Sequence, residues 1–202
     1  MLFISIQPFS SRRLLAFVGT IVCLSTASCF ASATFFVVAS TPYDKQMNRI
    51  RPALLSAHRG EAGEKVSVAL VNHWMGDLRG IPYAYQMEWK TPEEVQSREP
   101  ADCKGKAVAL YQRMQKQGAK NVRLVIGKRT PSSRMTHTWL LWEINGRTFV
   151  LDPTFNWIAR DSEEFSEGSY VPFYAYSGDK KYRASSLDLY AKSCAKGTEH
   201  RA

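Results

Sequence analysis

Hydrophobic positions recur with a helical period in the first half of the chain and alternate in the second half. Four apolar residues spaced four apart predict one face of a helix that ends at Gly80: Val66, Leu70, Trp74 and Leu78. The aromatic stretch "IPYAYQMEW" that follows is predicted to run extended. A short helix is then expected in "TPEEVQS", where Thr91, Pro92 and Glu94 have the pattern of a capping box.

A further helix is predicted to begin near Asp102 and to end at Gly118. Its apolar positions are Ala107, Leu110, Tyr111 and Met114. This helix carries Cys103 in its first turn, in the stretch "ADCKGKAVALYQRMQKQG".

Alternating patterns beyond Gly118 predict strands in "NVRLVIG", "THTWLLWEI" and "RTFVLDPTF". The second and third of these are joined by Asn145-Gly146, which favours a two-residue hairpin turn. The stretch "NWIARDSEEFSEGSY" is expected to be a loop, and "YVPFYAYSG" a last, Pro-marked strand. Its aromatic residues are assigned to the core and its rim: Tyr170, Phe173, Tyr174 and Tyr176. Helices followed by an antiparallel sheet predict an α+β domain.

The hairpin turn also predicts which residues share a face of the sheet. A two-residue turn pairs Ile144 with Arg147, which places His137 and Asp152 on the same face as diagonal neighbours. Their Cβ atoms are then about 7 Å apart, close enough for an imidazole and a carboxylate to share a hydrogen bond. A register slip of one residue would separate them.

The first 33 residues have the pattern of a cleaved signal peptide. Arg12 and Arg13 precede the apolar run "LLAFVGTIVCLSTASCF", and Ala31 to Ala33 form a small-residue cleavage site. The prediction is a periplasmic or secreted chain with no membrane association after cleavage, although an uncleaved anchor is the alternative. Residues 34–190 are predicted to form the domain, and residues 191–202 a polar tail.

Charge and composition exclude several classes of protein. The 202 residues carry a formal net charge of +9, and removal of residues 1–33 leaves 25 basic and 18 acidic residues. The basic residues are spread along the chain without a stripe of stacking aromatics, so nucleic acid is not an expected partner. No cofactor or metal is expected either, because the sequence has no Gly-rich phosphate loop and His58, His73 and His200 are isolated. Oligomeric state is not indicated.

Cysteine usage focuses the question of function on Cys103. Cys23 and Cys29 lie in the predicted signal peptide, so the mature chain would keep Cys103 and Cys194. One disulfide between these two is an alternative in an oxidising compartment. A buried structural cysteine is another.

Cys103, His137 and Asp152 together are the groups that a thiol nucleophile requires. A helix N-terminus favours a nearby negative charge, an imidazole can take the thiol proton, and a carboxylate can orient the imidazole. Taken singly, His137 could be a satisfied sheet histidine, and Asp152 an ordinary turn residue before Pro153. The predicted hairpin register, however, independently brings His137 and Asp152 onto one face.

Two stretches resemble a known family. "MEWKTPEEVQSREPADCKGKAVALYQRM" resembles the nucleophile block of bacterial transglutaminase-like cysteine peptidases, and "THTWLLWEINGRTFVLDPT" looks like the histidine and aspartate strands of the wider superfamily. The resemblance implies a papain-like fold, with a thiol helix packed on an antiparallel sheet. It implies Cys103 as nucleophile, His137 as general base and acid, and Asp152 as the residue that orients His137.

The sequence departs from the family directly after the cysteine. Lys104 and Gly105 stand where the peptidases usually carry two acidic residues that help bind calcium, which puts calcium dependence in question. The expected oxyanion donor is the backbone N–H of Cys103, with a side chain from Gln86 or Trp89 as an alternative.

The function that follows is an exported thiol hydrolase, a cysteine peptidase or amidase, that cleaves amide bonds of a protein or peptide substrate. One alternative is a transglutaminase or acyltransferase with the same three residues. The other is a non-catalytic binding domain on the same fold.

Overall fold

The computed structural model describes residues 33–56, 66–96, 99–166 and 168–186. The predicted signal peptide, apart from Ala33, and the predicted polar tail lie outside the described residues, as does Cys194. Within the described ranges, no helix has the length and apolar character that crossing a bilayer requires.

The described residues form helices and one sheet. The helices are α1 (Asp44–Leu54), α2 (Val68–Arg79), α3 (Pro92–Gln96) and α4 (Cys103–Lys116). The strands are β1 (Phe35–Val37), β2 (Val122–Lys128), β3 (His137–Ile144), β4 (Arg147–Leu151), β5 (Arg160–Asp161), β6 (Val171–Ser177) and β7 (Lys180–Ala184). A short 3₁₀ helix, Ser162–Glu164, follows β5.

The seven strands lie in the order β1-β7-β6-β2-β3-β4-β5, and every neighbouring pair is antiparallel. This arrangement of helices and one antiparallel sheet confirms the predicted α+β class.

Alternation along the strands separates two hydrophobic clusters, one on each face of the sheet. The larger cluster lies between the helices and one face, and joins Leu110 of α4 to Leu124 and Leu140. The smaller cluster lies on the opposite face and contains Val125, Trp139, Val150 and Ala175. His137 has the same parity as Trp139 along β3, so it belongs to this second face.

The Asn145-Gly146 turn has the conformation that its sequence predicts. Both residues have positive φ, 51° and 74°, as a type I′ turn requires. Ile144 pairs with Arg147, so the predicted register of this hairpin is confirmed.

Local signals also placed α3 and α4 correctly. In α3 the backbone N–H of Thr91 donates to Glu94 at 2.7 Å, and the N–H of Glu94 donates back to Thr91 Oγ1 at 3.5 Å, which is the predicted capping box. The predicted apolar positions of α4 are all buried: Ala107, Leu110, Tyr111 and Met114.

Other predictions were wrong in detail. The buried residues of α2 are Val71, Met75 and Leu78, whereas Leu70 and Trp74 are half-buried. The face of α2 that packs on the core is therefore rotated by one residue from the predicted face. The segment 81–89, which is predicted to run extended, belongs to no strand of the sheet, and this does not contradict the prediction. The stretch 156–170 includes β5, and β7 follows β6 as an additional strand.

Candidate active site

Asp102 builds the N-terminus of α4. Its Oδ1 accepts hydrogen bonds from the backbone N–H groups of Lys104 (3.0 Å) and Gly105 (3.2 Å), which satisfies two of the unpaired donors at the helix start. Its Oδ2 accepts from the backbone N–H of Gln86 at 3.2 Å and from the Lys104 ammonium. One buried carboxylate therefore caps the helix and ties the loop 81–89 to it.

Cys103 is the first residue of this helix. It is a free cysteine, 7% exposed, and its side chain lies close enough to His137 to influence the pKa of the imidazole. The thiol therefore lies where the positive end of the helix dipole favours a negative charge.

His137 and Asp152 lie at adjacent ends of two neighbouring strands. His137 is the first residue of β3, and Asp152 directly follows the last residue of β4, so the hairpin brings the two strand ends together. His137 Nε2 lies 2.7 Å from Asp152 Oδ2. The Asp152 carboxylate is fully buried, and its Oδ1 accepts from the backbone N–H groups of Thr154 (2.9 Å) and Phe155 (3.3 Å).

The surroundings favour the charged forms of this pair. Burial disfavours a charged imidazole, but the hydrogen bonds to Asp152 and Cys103, together with their negative charges, raise the pKa of His137 to about 9. Burial likewise opposes ionisation of Asp152, yet its hydrogen bonds to His137, Tyr170 and Thr154 lower the pKa of its carboxyl. The geometry thus joins the imidazole and the carboxylate by a hydrogen bond and places the thiol at the helix start beside them. The catalytic roles of the three residues stay a prediction.

Tyr170 is a site residue that the sequence did not indicate. Its hydroxyl donates to Asp152 Oδ2 at 2.8 Å, the same oxygen that contacts His137, and accepts from Asn156 Nδ2 at 3.3 Å. Burial, followed by the charge of Asp152, raises the pKa of Tyr170, which keeps its proton available for this bond. Sequence reasoning placed Tyr170 among core and rim aromatics, because the pairing of β6 with β2 that brings it here has no local signal.

Two cationic side chains, Lys106 and Arg79, hold the segments around Asp152 together. Lys106 is buried and donates to the carbonyl of Ile81 at 2.6 Å; burial and then the charge of Arg79 lower the pKa of its ammonium. Arg79 donates to the carbonyl of Thr154. Together they connect α2, the loop 81–89 and the turn that follows Asp152.

The two side chains considered as oxyanion donors lie on the loop 81–89. Trp89 is 4% exposed, and its backbone carbonyl accepts from Arg49 Nε at 2.7 Å. Gln86 contacts Asp102 and Lys104 through its backbone. Neither contact assigns an oxyanion donor, which stays a prediction.

No protein-family model and no curated protein matches this sequence. Solved structures do match. Calcium-bound LapG from Legionella pneumophila is 14% identical, with a TM-score of 0.50 over 77% of this chain and 92% of LapG. EGTA-treated LapG from the same organism is 14% identical, with a TM-score of 0.51 over 73% of this chain and 81% of LapG.

At this level of identity the similarity concerns the fold. LapG is a transglutaminase-like cysteine protease, and the similarity covers most of its length. The predicted papain-like architecture is thereby confirmed, and the chain has the transglutaminase-like fold.

Proposed function

We propose that this protein is a thiol hydrolase that cleaves amide bonds of a protein or peptide, with Cys103 as nucleophile, His137 as general base and acid, and Asp152 as the residue that orients His137. The observation that carries the proposal is the 2.7 Å contact between His137 Nε2 and Asp152 Oδ2, beside a cysteine at a helix N-terminus. Because Nε2 faces Asp152, Nδ1 is the ring nitrogen that remains to exchange a proton with Cys103.

In the first half of the reaction, the proton of Cys103 passes to His137 Nδ1, and the sulfur attacks the amide carbonyl carbon. The C–S bond forms while the carbonyl electron pair moves to oxygen, where the backbone N–H of Cys103, the expected oxyanion donor, can stabilise it. The C–N bond then breaks, and the imidazolium gives its proton to the leaving amine, which leaves a thioester on Cys103.

In the second half, water gives a proton to His137 and attacks the thioester. The C–S bond then breaks, the imidazolium returns its proton to the Cys103 sulfur and the carboxylic acid leaves, so the site returns to its starting state. An amine that replaced water would make the same site an acyltransferase; hydrolysis is the reaction that we propose.

Calcium does not fit the residues at the start of α4. All the acceptor positions of Asp102 that face the loop are used by internal donors, and the Lys104 ammonium lies between Asp102 Oδ2 and the carbonyl of Gln86, 2.8 Å from the latter. In the part of the chain that the structure describes, no group of three or more His, Cys, Asp or Glu side chains could hold a metal ion. No step of the proposed reaction therefore involves calcium.

Export is part of the proposal on the pattern of residues 1–33 alone. A protein or peptide outside the cytoplasm would then be the substrate.

The first test is the alkylation rate of Cys103. The full chain would carry Cys23→Ser, Cys29→Ser and Cys194→Ser, so that iodoacetamide reports on a single thiol. At about pH 6.5 an ordinary thiol, with a pKa near 8.5, is almost entirely protonated and reacts slowly. We expect Cys103 to react at least about tenfold faster than the same thiol in the His137→Ala variant, because a histidine-paired thiolate is the reactive species.

His73→Ala is the matched control, since His73 is an exposed histidine of α2 that contacts Asp77 at 3.9 Å. This substitution should leave the rate unchanged. A slow Cys103 that is indifferent to both histidines would contradict the proposal and favour a non-catalytic binding domain.

A further inference from the structure

Exposed hydrophobic side chains are concentrated around the candidate active site. The described residues include ten exposed large hydrophobic side chains, and three of these, Phe36, Val37 and Leu55, lie elsewhere. The other seven lie in three short segments: Tyr83, Tyr85 and Met87; Met135; and Phe155, Trp157 and Ile158. Exposed apolar patches of this kind mark binding surfaces in soluble domains.

Each segment is attached to one of the three candidate catalytic residues. The loop 81–89 is hydrogen-bonded to Asp102, next to Cys103. Met135 precedes His137 by two residues, and Phe155 follows Asp152 by three. The patch is therefore built from segments that adjoin each of the three residues.

Two observations place the aromatic rings close to the reacting groups. The Phe155 ring lies 5.3 Å from the His137 ring, edge to face. Burial, and then the negative charges of Cys103 and Asp102, raise the pKa of Tyr83. We define the aromatic rim as Tyr83, Tyr85, Phe155 and Trp157.

Three of the four rim residues have a cation over the ring. The Lys104 ammonium lies 4.9 Å from the Tyr85 centroid, the Arg129 guanidinium 4.5 Å from Phe155, and the Arg79 guanidinium 5.0 Å from Trp157. A guanidinium stacked on a ring keeps N–H groups at its edge that can bind a carboxylate.

The acidic groups near the rim do not offset this charge. Asp102 and Asp152 are buried and bound by internal donors. Glu88, on the loop 81–89, contacts Arg49 at 3.3 Å. The accessible charge of the rim is therefore positive and is carried mainly by the exposed Arg129.

We propose that the aromatic rim binds an extended polypeptide segment that has large apolar side chains beside the scissile amide and at least one carboxylate within reach of Arg129. The apolar side chains pack on Phe155 and Trp157, and the carboxylate binds at the edge of the stacked guanidinium. This substrate class rests on the proposed function, because the rim is defined by its position around Cys103 and His137.

The test measures binding apart from catalysis. The full chain with Cys103→Ala cannot form the thioester, and the anisotropy of labelled peptide pools reports its affinity. One pool has Phe or Leu and Glu at fixed positions and random residues elsewhere; in a second pool Lys replaces Glu, and in a third Ser replaces Phe and Leu. We expect the first pool to bind about tenfold more tightly than either other pool.

Variants of the rim locate the binding surface. Trp157→Ala and Phe155→Ala should each weaken binding of the first pool by about tenfold, since exposed aromatic anchors dominate such interfaces. Arg129→Gln should remove the difference between the Glu and Lys pools. Phe36→Ala is the matched control, because Phe36 is an exposed aromatic of β1 (56% exposed) outside the patch, and binding should not change.

Equal binding of all three pools, or equal effects of Trp157→Ala and Phe36→Ala, would overturn the proposal. So would binding to vesicles of anionic phospholipid that Trp157→Ala abolishes, if none of the pools binds, because the rim would then be a membrane surface. Hydrolysis of the pools by the unmodified chain tests the proposed function separately. Selective binding without hydrolysis would support the proposed role of the aromatic rim and contradict the proposed hydrolase function. Hydrolysis without selective binding would support the hydrolase function and contradict the proposed role of the rim.

Discussion

At the scale of single residues, Tyr170 is unusual in its backbone conformation as well as in the hydrogen bond that its hydroxyl makes to Asp152. Its φ is 50°, in the left-handed region that a bulky side chain rarely occupies, and its N–H donates to the carbonyl of Arg129 at 2.8 Å. Its ring packs edge to face on Trp139 and Phe165. Strained conformations of this kind persist where the surroundings enforce them, and here they aim the hydroxyl at Asp152.

Tyr170→Phe should therefore impair the site while the fold is retained. Asp152 loses a donor to its charged form, so we expect its pKa to rise and the acidic limb of the activity–pH profile to move to higher pH. Activity at neutral pH should fall by about three- to tenfold. The measurement is kcat/KM of peptide hydrolysis against pH.

Tyr176→Phe provides the matched control for this prediction. Tyr176 is a buried tyrosine of β6, the strand that begins directly after Tyr170, and its hydroxyl contacts Thr41 instead of Asp152. Its loss should lower stability and leave the pH profile in place. Identical profiles for the two variants would exclude a role of Tyr170 in positioning Asp152.

At the scale of elements, the parts of the site that could be predicted from the sequence are those with local signals. The Asn145-Gly146 turn determines the register of the β3–β4 hairpin and so places His137 and Asp152 on the same face of the sheet. The residue types around Asp102 indicate a capped helix start. The two edge strands, β1 and β5, and the strand β7 beside β1 could not be predicted in this way. β1 and β5 have three and two residues, and β7 reads "KKYRA", so each becomes a strand by pairing with its neighbour in the folded sheet.

Close approach of β6 to β2 depends on one glycine. Gly127 pairs with His137 on one side, and the register with β6 shifts between Ile126 and Gly127 on the other. A Cβ atom built at Gly127 would lie 2.1 Å from the carbonyl oxygen of Val171 and 2.8 Å from the Trp139 ring. A side chain at this position would have to displace β6 or the indole beside His137.

Gly127→Ala is accordingly expected to lower the free energy of unfolding by about 1–3 kcal/mol and to reduce activity beyond the loss of folded protein. Urea denaturation and kcat per folded molecule are the measurements. Gly76→Ala is the control. A Cβ atom at this position of α2 would have no atom within 4 Å, so the substitution should raise the free energy of unfolding by about 0.5–1 kcal/mol. An active, fully stable Gly127→Ala variant would show that β6 can move without disturbing His137.

At the scale of the whole molecule, the charged site contributes to global stability. The pKa of His137 is raised from 6.5 to about 9 in the folded state, so the folded chain holds this proton more tightly than the unfolded chain. The resulting stabilisation is fully present below pH 6.5 and is lost as the pH rises through about 9. A shift of this size corresponds to a free energy on the order of 3 kcal/mol.

The free energy of unfolding should therefore decrease between about pH 6.5 and 9.5, and His137→Gln should remove most of this decrease. Urea denaturation of both proteins at the two pH values gives the difference directly. His73→Gln should behave as the unsubstituted chain does. A decrease of equal size in all three proteins would assign the pH dependence to other groups.

The site also depends on the docking of two layers. His137 and Asp152 are joined by the β3–β4 hairpin, whereas Cys103 belongs to α4, which precedes β2 in the sequence. A chain in which the hairpin has formed but α4 has not docked still has an ordinary thiol. If Cys103 is the nucleophile we propose, the protein cannot attack its own unfolded segments or those of its neighbours while it is being made, and its chemistry begins when folding ends.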